Sequence, residues 1–226
     1  NPDVMYATSE QRRRHVQIRI GGGPESALWK STDAGKTWRK LTSGIPEVDK
    51  GGMHVLVSPI DHNLVYLMVE AAMDKGGFYR STDQGESWER MSDYNTSGQY
   101  YGEFFAHPTD INTLYSMETV SKVTYDAGKT WTSIGLEERH VDDHAFWIDP
   151  KDTQHFMIGG DGGIYETFDH GKHFIFKSNL PVTQFYRVNV DNEYPFYNVY
   201  GGTQDNNSFG GPSQSLFSDG VMNHDW

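Results

Sequence analysis

"STDAGKTW" at residues 31–38 returns as "STDQGESW" at 81–88, as "TYDAGKTW" at 124–131 and as "TFDHGKHF" at 167–174. Its aspartates fall at Asp33, Asp83, Asp126 and Asp169, at spacings of 50, 43 and 43 residues. Periods in this range belong to solenoids, arrays and propellers. The text around the phrase repeats too. Short alternating runs precede three copies ("SALWKS", "GGFYRS", "GGIYET"). A Pro/Asp turn followed by an apolar run lies further upstream ("SPIDHNLVYLMVE", "HPTDINTLYSMET", "DPKDTQHFMIGG", and "NPDVMYATS" at the start). Before these stand the apolar alternations "GGMHVLV", "YYGEFFA" and "DHAFWI".

Each period therefore reads as strand, Pro/Asp turn, strand, glycine-containing turn, strand, phrase, strand. Four short strands in about 45 residues make a propeller blade. The expected fold is all-β, a β-propeller of four-stranded blades, with about four and a half blades at roughly 1–45, 46–95, 96–135, 136–180 and an incomplete 181–226. In this register the chain enters at the second strand of one blade and leaves inside a later one, as expected for part of a longer protein.

Composition agrees with many short strands. Of 226 residues 24 are glycine and 14% are aromatic, and all-β domains of this length are often single. The net charge of −12 is the wrong sign for a general nucleic-acid or anionic-membrane surface. The one basic run, Arg12 to His15, reads as a solvated loop or a local anion site. Cysteine is absent, which excludes disulfides and thiol chemistry. No run of 18 apolar residues offers a membrane-spanning helix.

The repeated phrase is expected to be a hairpin turn between third and fourth strands. Its Asp accepts N–H groups of the turn, its Gly adopts a backbone conformation other residues resist, and its closing aromatic packs into the blade. This assigns folding roles to Asp33, Gly35, Trp38, Asp83, Gly85, Trp88, Asp126, Gly128, Trp131, Asp169, Gly171 and Phe174.

Function is therefore sought at the other end of the strands. That face gathers "RRRHVQIRIGGGPES", "EAAMDKGG", "SDYNTSGQYYGEF", "EERHVDDHAF", "GGDGG", "NLPVTQFYR" and "GGTQDNNS". The densest polar group is Arg139, His140, Asp142, Asp143 and His144, joined by Asp161 in the same blade and by Gln204, Asp205, Asn206 and Asn207 in the next. Such residues suit a sugar, a proton-transfer pair or a divalent cation such as Ca²⁺, although Asp and Asn in glycine-rich turns also bond their own backbone. The aromatics Tyr94, Tyr100, Tyr101, Phe104, Phe105, Trp147, Phe185 and Tyr186 are platform candidates, although Phe104 or Phe105, and Trp147, read as core.

The phrase resembles the Asp-box, or BNR repeat, of sialidases, xyloglucanases, sortilin-type receptors and a photosystem II assembly factor. "HVDDHAFWIDP", "GGTQDN" and "NHDW" resemble large bacterial proteins with sortilin-like or glycosyl-hydrolase-like propellers. That resemblance implies an exported protein, placed extracellularly, in the periplasm or at the cell surface. It implies either of two functions. One is a noncatalytic propeller whose channel face binds a protein, peptide or glycan through His140, Asp142, Asp143, His144, Asp161, Gln204, Asp205 and Asn206. The other is a glycoside hydrolase resembling xyloglucanases, with Asp143, Asp161 and Glu103 as the carboxylates, since such hydrolysis needs two facing carboxyl groups. A sialidase reading would lean on Arg19 of "IRIG", which reads equally as a strand residue.

Overall fold

A computed structural model of the chain describes residues 1–96, 98, 100–178, 185–203 and 207–225. Among these described residues twenty strands form five sheets and one separate hairpin. The first sheet holds β1 (Met5–Ser9), β4 (Ala27–Ser31) and β5 (Arg39–Leu41), and between β1 and β4 the hairpin of β2 (Arg12–His15) and β3 (Ile18–Gly21) is inserted. Three four-stranded antiparallel sheets follow. They are β6 (Lys50–Val57) to β9 (Glu89–Ser92) through β7 (Val65–Ala71) and β8 (Gly77–Ser81); β10 (Phe104–Ala106) to β13 (Thr132–Ser133) through β11 (Leu114–Ser116) and β12 (Lys122–Thr124); and β14 (Asp143–Ile148) to β17 (Ile175–Phe176) through β15 (Phe156–Gly160) and β16 (Gly163–Thr167). A last sheet joins β18 (Phe185–Val190), β19 (Asn198–Thr203) and β20 (Ser208–Pro212). Each sheet follows chain order, the up-and-down pattern of a propeller blade.

Burial explains the sequence patterns. Strand β7, "VYLMV", is buried on both faces and so is continuously apolar rather than alternating. Its Val65, Leu67 and Val69 share a cluster with Leu28 and Leu41 of the first sheet. Tyr66 and Met68, pointing the other way, join Phe78, Phe104 and Leu114. The third cluster repeats the device, with Tyr115, Met117 and Val123 of one sheet against Phe156 and Ile158 of the next. Hydrogen bonds also cross between sheets. The Tyr6 hydroxyl and the buried Lys30 ammonium both donate to the Gln84 carbonyl, at 2.7 and 2.6 Å, and the Tyr66 hydroxyl donates to the Ile111 carbonyl at 2.8 Å.

All four phrases fold alike, each between the last two strands of its sheet, which are the third and fourth strands in the three four-stranded sheets. In the second copy Asp83 Oδ1 accepts the Ser81 hydroxyl at 2.7 Å and the Ser87 N–H at 2.9 Å, while Oδ2 accepts the Ser87 hydroxyl at 2.6 Å. The Trp88 indole N–H closes the turn on the Gly85 carbonyl at 3.0 Å. Gln84 and Gly85 take φ of 57° and 81°, left-handed values repeated at Ala34 and Gly35, Ala127 and Gly128, and His170 and Gly171. Trp38, Trp88 and Trp131 all bond the loop glycine. The Phe174 ring has no N–H to do so and packs on Phe156 instead.

These hydrogen bonds hold the Asp33, Asp83 and Asp126 carboxyls at about 2 and Asp169 lower still. The folded value lies below the ordinary carboxylate range near 3.9. The resulting stability is thus complete above about pH 4 and disappears as pH falls through about 2. An Asp83→Asn variant is expected to unfold at lower urea than the wild type at neutral pH, the gap narrowing towards pH 2. A gap independent of pH would contradict this assignment.

Two sequence expectations are corrected. Arg12 to His15 form a strand, β2, because they pair with Ile18–Gly21 across a two-residue turn. Trp147 is not core. It is 45% exposed, because its neighbours Phe146 and Ile148 take the face of β14 that packs on the third sheet, leaving the indole edge-on to the His155 ring at 5.3 Å.

Candidate functional site

The repeated loops occupy one end of the strands, so the connections into β6 and β14, and the β7–β8 and β15–β16 turns, lie at the other. There the structure divides the predicted polar group in two.

Asp143 is buried, 2% exposed, as is the Arg139 side chain at 3%. Arg139 Nη1 reaches both Asp143 oxygens at 2.5 Å, and the Ser121 hydroxyl donates to Oδ2 at 2.5 Å. Arg139 Nη2 donates to the Ile134 carbonyl at 2.9 Å, and its guanidinium lies 5.4 Å from the Phe174 ring centre. The pair thus links the third sheet to the fourth. His140 turns its Nδ1 to the Val141 carbonyl at 2.6 Å, and its backbone N–H donates to the Tyr165 hydroxyl.

Asp142, His144 and Asp161 remain at the surface around Tyr101. The Tyr101 hydroxyl donates to Asp142 Oδ1 at 2.6 Å, and the carboxylate holds the phenol's proton more tightly, raising its pKa after burial has done so first. The His144 ring stacks on Tyr101 with centroids 5.3 Å apart and planes 6° from parallel. His144 Nε2 stands 3.4 Å from Asp161 Oδ1. The Asp161 N–H donates to the Asp142 carbonyl at 3.0 Å, which fixes the two loops against each other. Asp142 takes φ of 68°, a left-handed conformation that Asp accepts more readily than most residues.

Tyr101 also walls a cleft that the sequence did not single out. The hollow, about 180 Å³, is lined by Glu10 and Arg19 from the first sheet's insertion, Gly52, His54 and Glu70 from the second sheet, and Asn95. Glu70 Oε2 accepts the Gly52 N–H at 3.0 Å. Glycines make room for this carboxylate, since a Cβ at Gly51 would stand 2.3 Å from Glu70 Oε2. Burial pushes the His54 imidazole below its usual range, against the opposing pull of Glu103 and Glu10, so the ring is neutral at pH 7. Gly102 packs on that ring, where a Cβ would be 2.1 Å from Nε2. A second, more open hollow of about 410 Å³ follows the inner strands from Tyr6 to Phe105 and includes Glu103.

The sequence placed the segments containing Glu70 and Asn95 on this face without choosing the residues. The available signals were a lone carboxylate ending the apolar run "VYLMVE" and the paired glycines before Met53. Of the other predicted residues, Tyr94 is half-buried, its hydroxyl donating to Glu118 at 3.1 Å and lying 3.0 Å from the Ser116 hydroxyl, Phe104 and Phe105 pack in the clusters, and Tyr100 and Tyr186 are exposed. Gln204, Asp205 and Asn206 lie outside the described residues. Among the described residues no group of three or more His, Asp or Glu is arranged to hold a metal ion, and no helix is long and apolar enough to cross a membrane.

Comparison with known proteins agrees with this architecture. Residues 79–90 match the BNR/Asp-box repeat family. Among curated relatives, the human VPS10 domain-containing receptor SorCS2 is 29% identical over 59% of the chain, and a xyloglucanase from a Paenibacillus species is 24% identical over 64% of it. The chain spans only 11% and 16% of these two relatives. The GH74 enzyme of Niastella koreensis superposes with a TM-score of 0.55 at 16% identity, over 83% of the chain and 33% of the enzyme.

Proposed function

We propose that this chain, an Asp-box β-propeller related to sortilin-type receptors and GH74 xyloglucanases, is a noncatalytic binding module of an exported protein. Its ligand, a protein, peptide or glycan, sits on the face opposite the Asp-boxes, against Tyr101 and the cleft of Glu10, Arg19, His54 and Glu70. One observation carries this reading: that face offers a small polar hollow where Glu10, Arg19, His54, Glu70 and Tyr101 present hydrogen-bonding groups, while Asp143, the carboxylate common to the hydrolytic pairings, is enclosed by Arg139 and Ser121. A general acid or nucleophile must touch the bond it breaks, and a side chain 2% exposed does not. Asp142 and Asp161 act in this reading as the outer wall that positions Tyr101 and His144.

The relation to xyloglucanases supports a second reading, in which Glu103 and Asp161 serve hydrolysis together with parts of the protein beyond this chain. Peptide and glycan arrays probed with the wild type, Tyr101→Ala, Glu70→Gln and Asp83→Asn separate the two. The first two variants are expected to lose about tenfold or more in affinity for whatever binds, as central contacts do, and Asp83→Asn, on the far face, to lose none. Release of reducing sugar from xyloglucan by the full-length protein, abolished by Asp161→Asn or Glu103→Gln, would overturn the noncatalytic reading.

A further inference from the structure

The β2–β3 hairpin pairs with no blade strand among the described residues, and apart from Arg19, which lines the cleft, its surface is unlike the rest of the chain. All four residues of β2 are exposed. Val16, at its two-residue tip, is 104% exposed, and Ile18 and Ile20 are 58% and 54% exposed. In a chain of net charge −12 it concentrates Arg12, Arg13, Arg14, His15 and Arg19 within eight residues. Arg19 is held by Glu10 at 3.5 Å, but among the described residues none of Arg12, Arg13 or Arg14 pairs with a carboxylate.

The register sorts the side chains. Arg13 lies opposite Ile20 and His15 opposite Ile18, so these four share one face, while Arg14 lies opposite Arg19 on the other. Like charges directly opposite destabilise a strand pair, and a lone two-stranded hairpin is marginal by itself. Both costs fall if an anionic surface receives the hairpin.

We propose that this hairpin is an arm that docks tip-first on an anionic lipid surface. Val16 and Ile18 enter the boundary of headgroup and acyl chain, with Ile20 following, and the arginines extend their apolar stems alongside while their guanidiniums meet lipid phosphates. A lipid surface is favoured over an acidic protein because the apolar side chains project from a tip. Protein partners match a shaped patch, whereas a lipid boundary needs only a protruding apolar end ringed by cations. Because the surrounding chain is acidic, the hairpin alone faces the bilayer, which sets the orientation of the propeller.

The test is co-sedimentation of the chain with phosphatidylcholine vesicles and with vesicles containing phosphatidylserine, at low and high salt. Binding is expected only to the anionic vesicles and to weaken with salt. Arg13→Ala with Arg14→Ala should lower partitioning roughly fivefold for each arginine, and Val16→Ser with Ile18→Ser about tenfold. Both pairs lie on the exposed hairpin, and unchanged tryptophan fluorescence of each variant checks that the propeller is intact. No binding to anionic vesicles by the wild type would overturn the proposal. So would binding that survives the apolar pair and is displaced by soluble polyglutamate, which would mark the hairpin as a contact for acidic protein.

Discussion

Replacing Arg139 by alanine is expected to cost about 3–5 kcal/mol of stability, because removing one partner strands the other's charge in the interior. Asp143 is 2% exposed and takes hydrogen bonds from Arg139 and Ser121. Without the guanidinium its carboxylate is left with a hydroxyl and no counter-charge, and the Ile134 carbonyl loses the Nη2 donor that Arg139 supplies. The loss should be partly recovered by changing Asp143 to Leu in the same chain, since well-packed apolar residues often replace a buried ion pair without net cost. Urea denaturation of the single and double variants measures this. A change below about 0.5 kcal/mol for Arg139→Ala, the size expected of an ordinary surface substitution, would show that the pair is not buried as described.

A comparable loss, about 3–5 kcal/mol, is expected for Phe78→Ala, here from a cavity rather than a charge. Phe78 is fully buried between the second and third sheets. Its ring lies edge-on to Phe104 at 5.6 Å and to Trp131 at 5.3 Å, and stacks with Tyr66 at 6.1 Å. Gly128 of the third phrase abuts the same ring, so closely that a Cβ there would stand 2.1 Å from Cδ1. The repeated glycine thus serves the turn, at φ of 89°, and the packing of the preceding sheet. Replacing the exposed Phe176 by alanine should cost far less, and equal losses at the two positions would contradict the packing.

Those two predictions rest on features of different legibility. The propeller was readable because each signal is local: Asp and Gly at fixed offsets force one turn, and a Pro/Asp turn with an apolar run marks the strand before it. Even the doubly buried β7 announces itself, since "VYLMV" has no polar residue to give to solvent. Trp147 was misread because the run "HAFWI" does not show which face of its strand meets a neighbour.

The candidate site was less legible for the same reason. The cleft brings Glu10, His54, Glu70 and Tyr101 together from the first sheet's insertion, the second sheet and the loop before β10, and no spacing in the chain encodes that meeting. The group around Asp143 looked like one polar site, but the backbone turns Asp142 outward to Tyr101 and Asp143 inward to Arg139. Asp142 sits just before β14 with a left-handed φ of 68°, which turns it away from the buried Asp143 that opens the strand.

The most direct test of the binding face is hydrogen exchange of the chain with and without a saturating amount of its tightest binder from the peptide and glycan arrays. Added protection is expected at Gly51–His54, at Glu70 and at Tyr101–Glu103, with the four Asp-box turns unchanged. Protection confined to residues 31–38, 81–88, 124–131 or 167–174 would place the ligand on the opposite face and contradict the account.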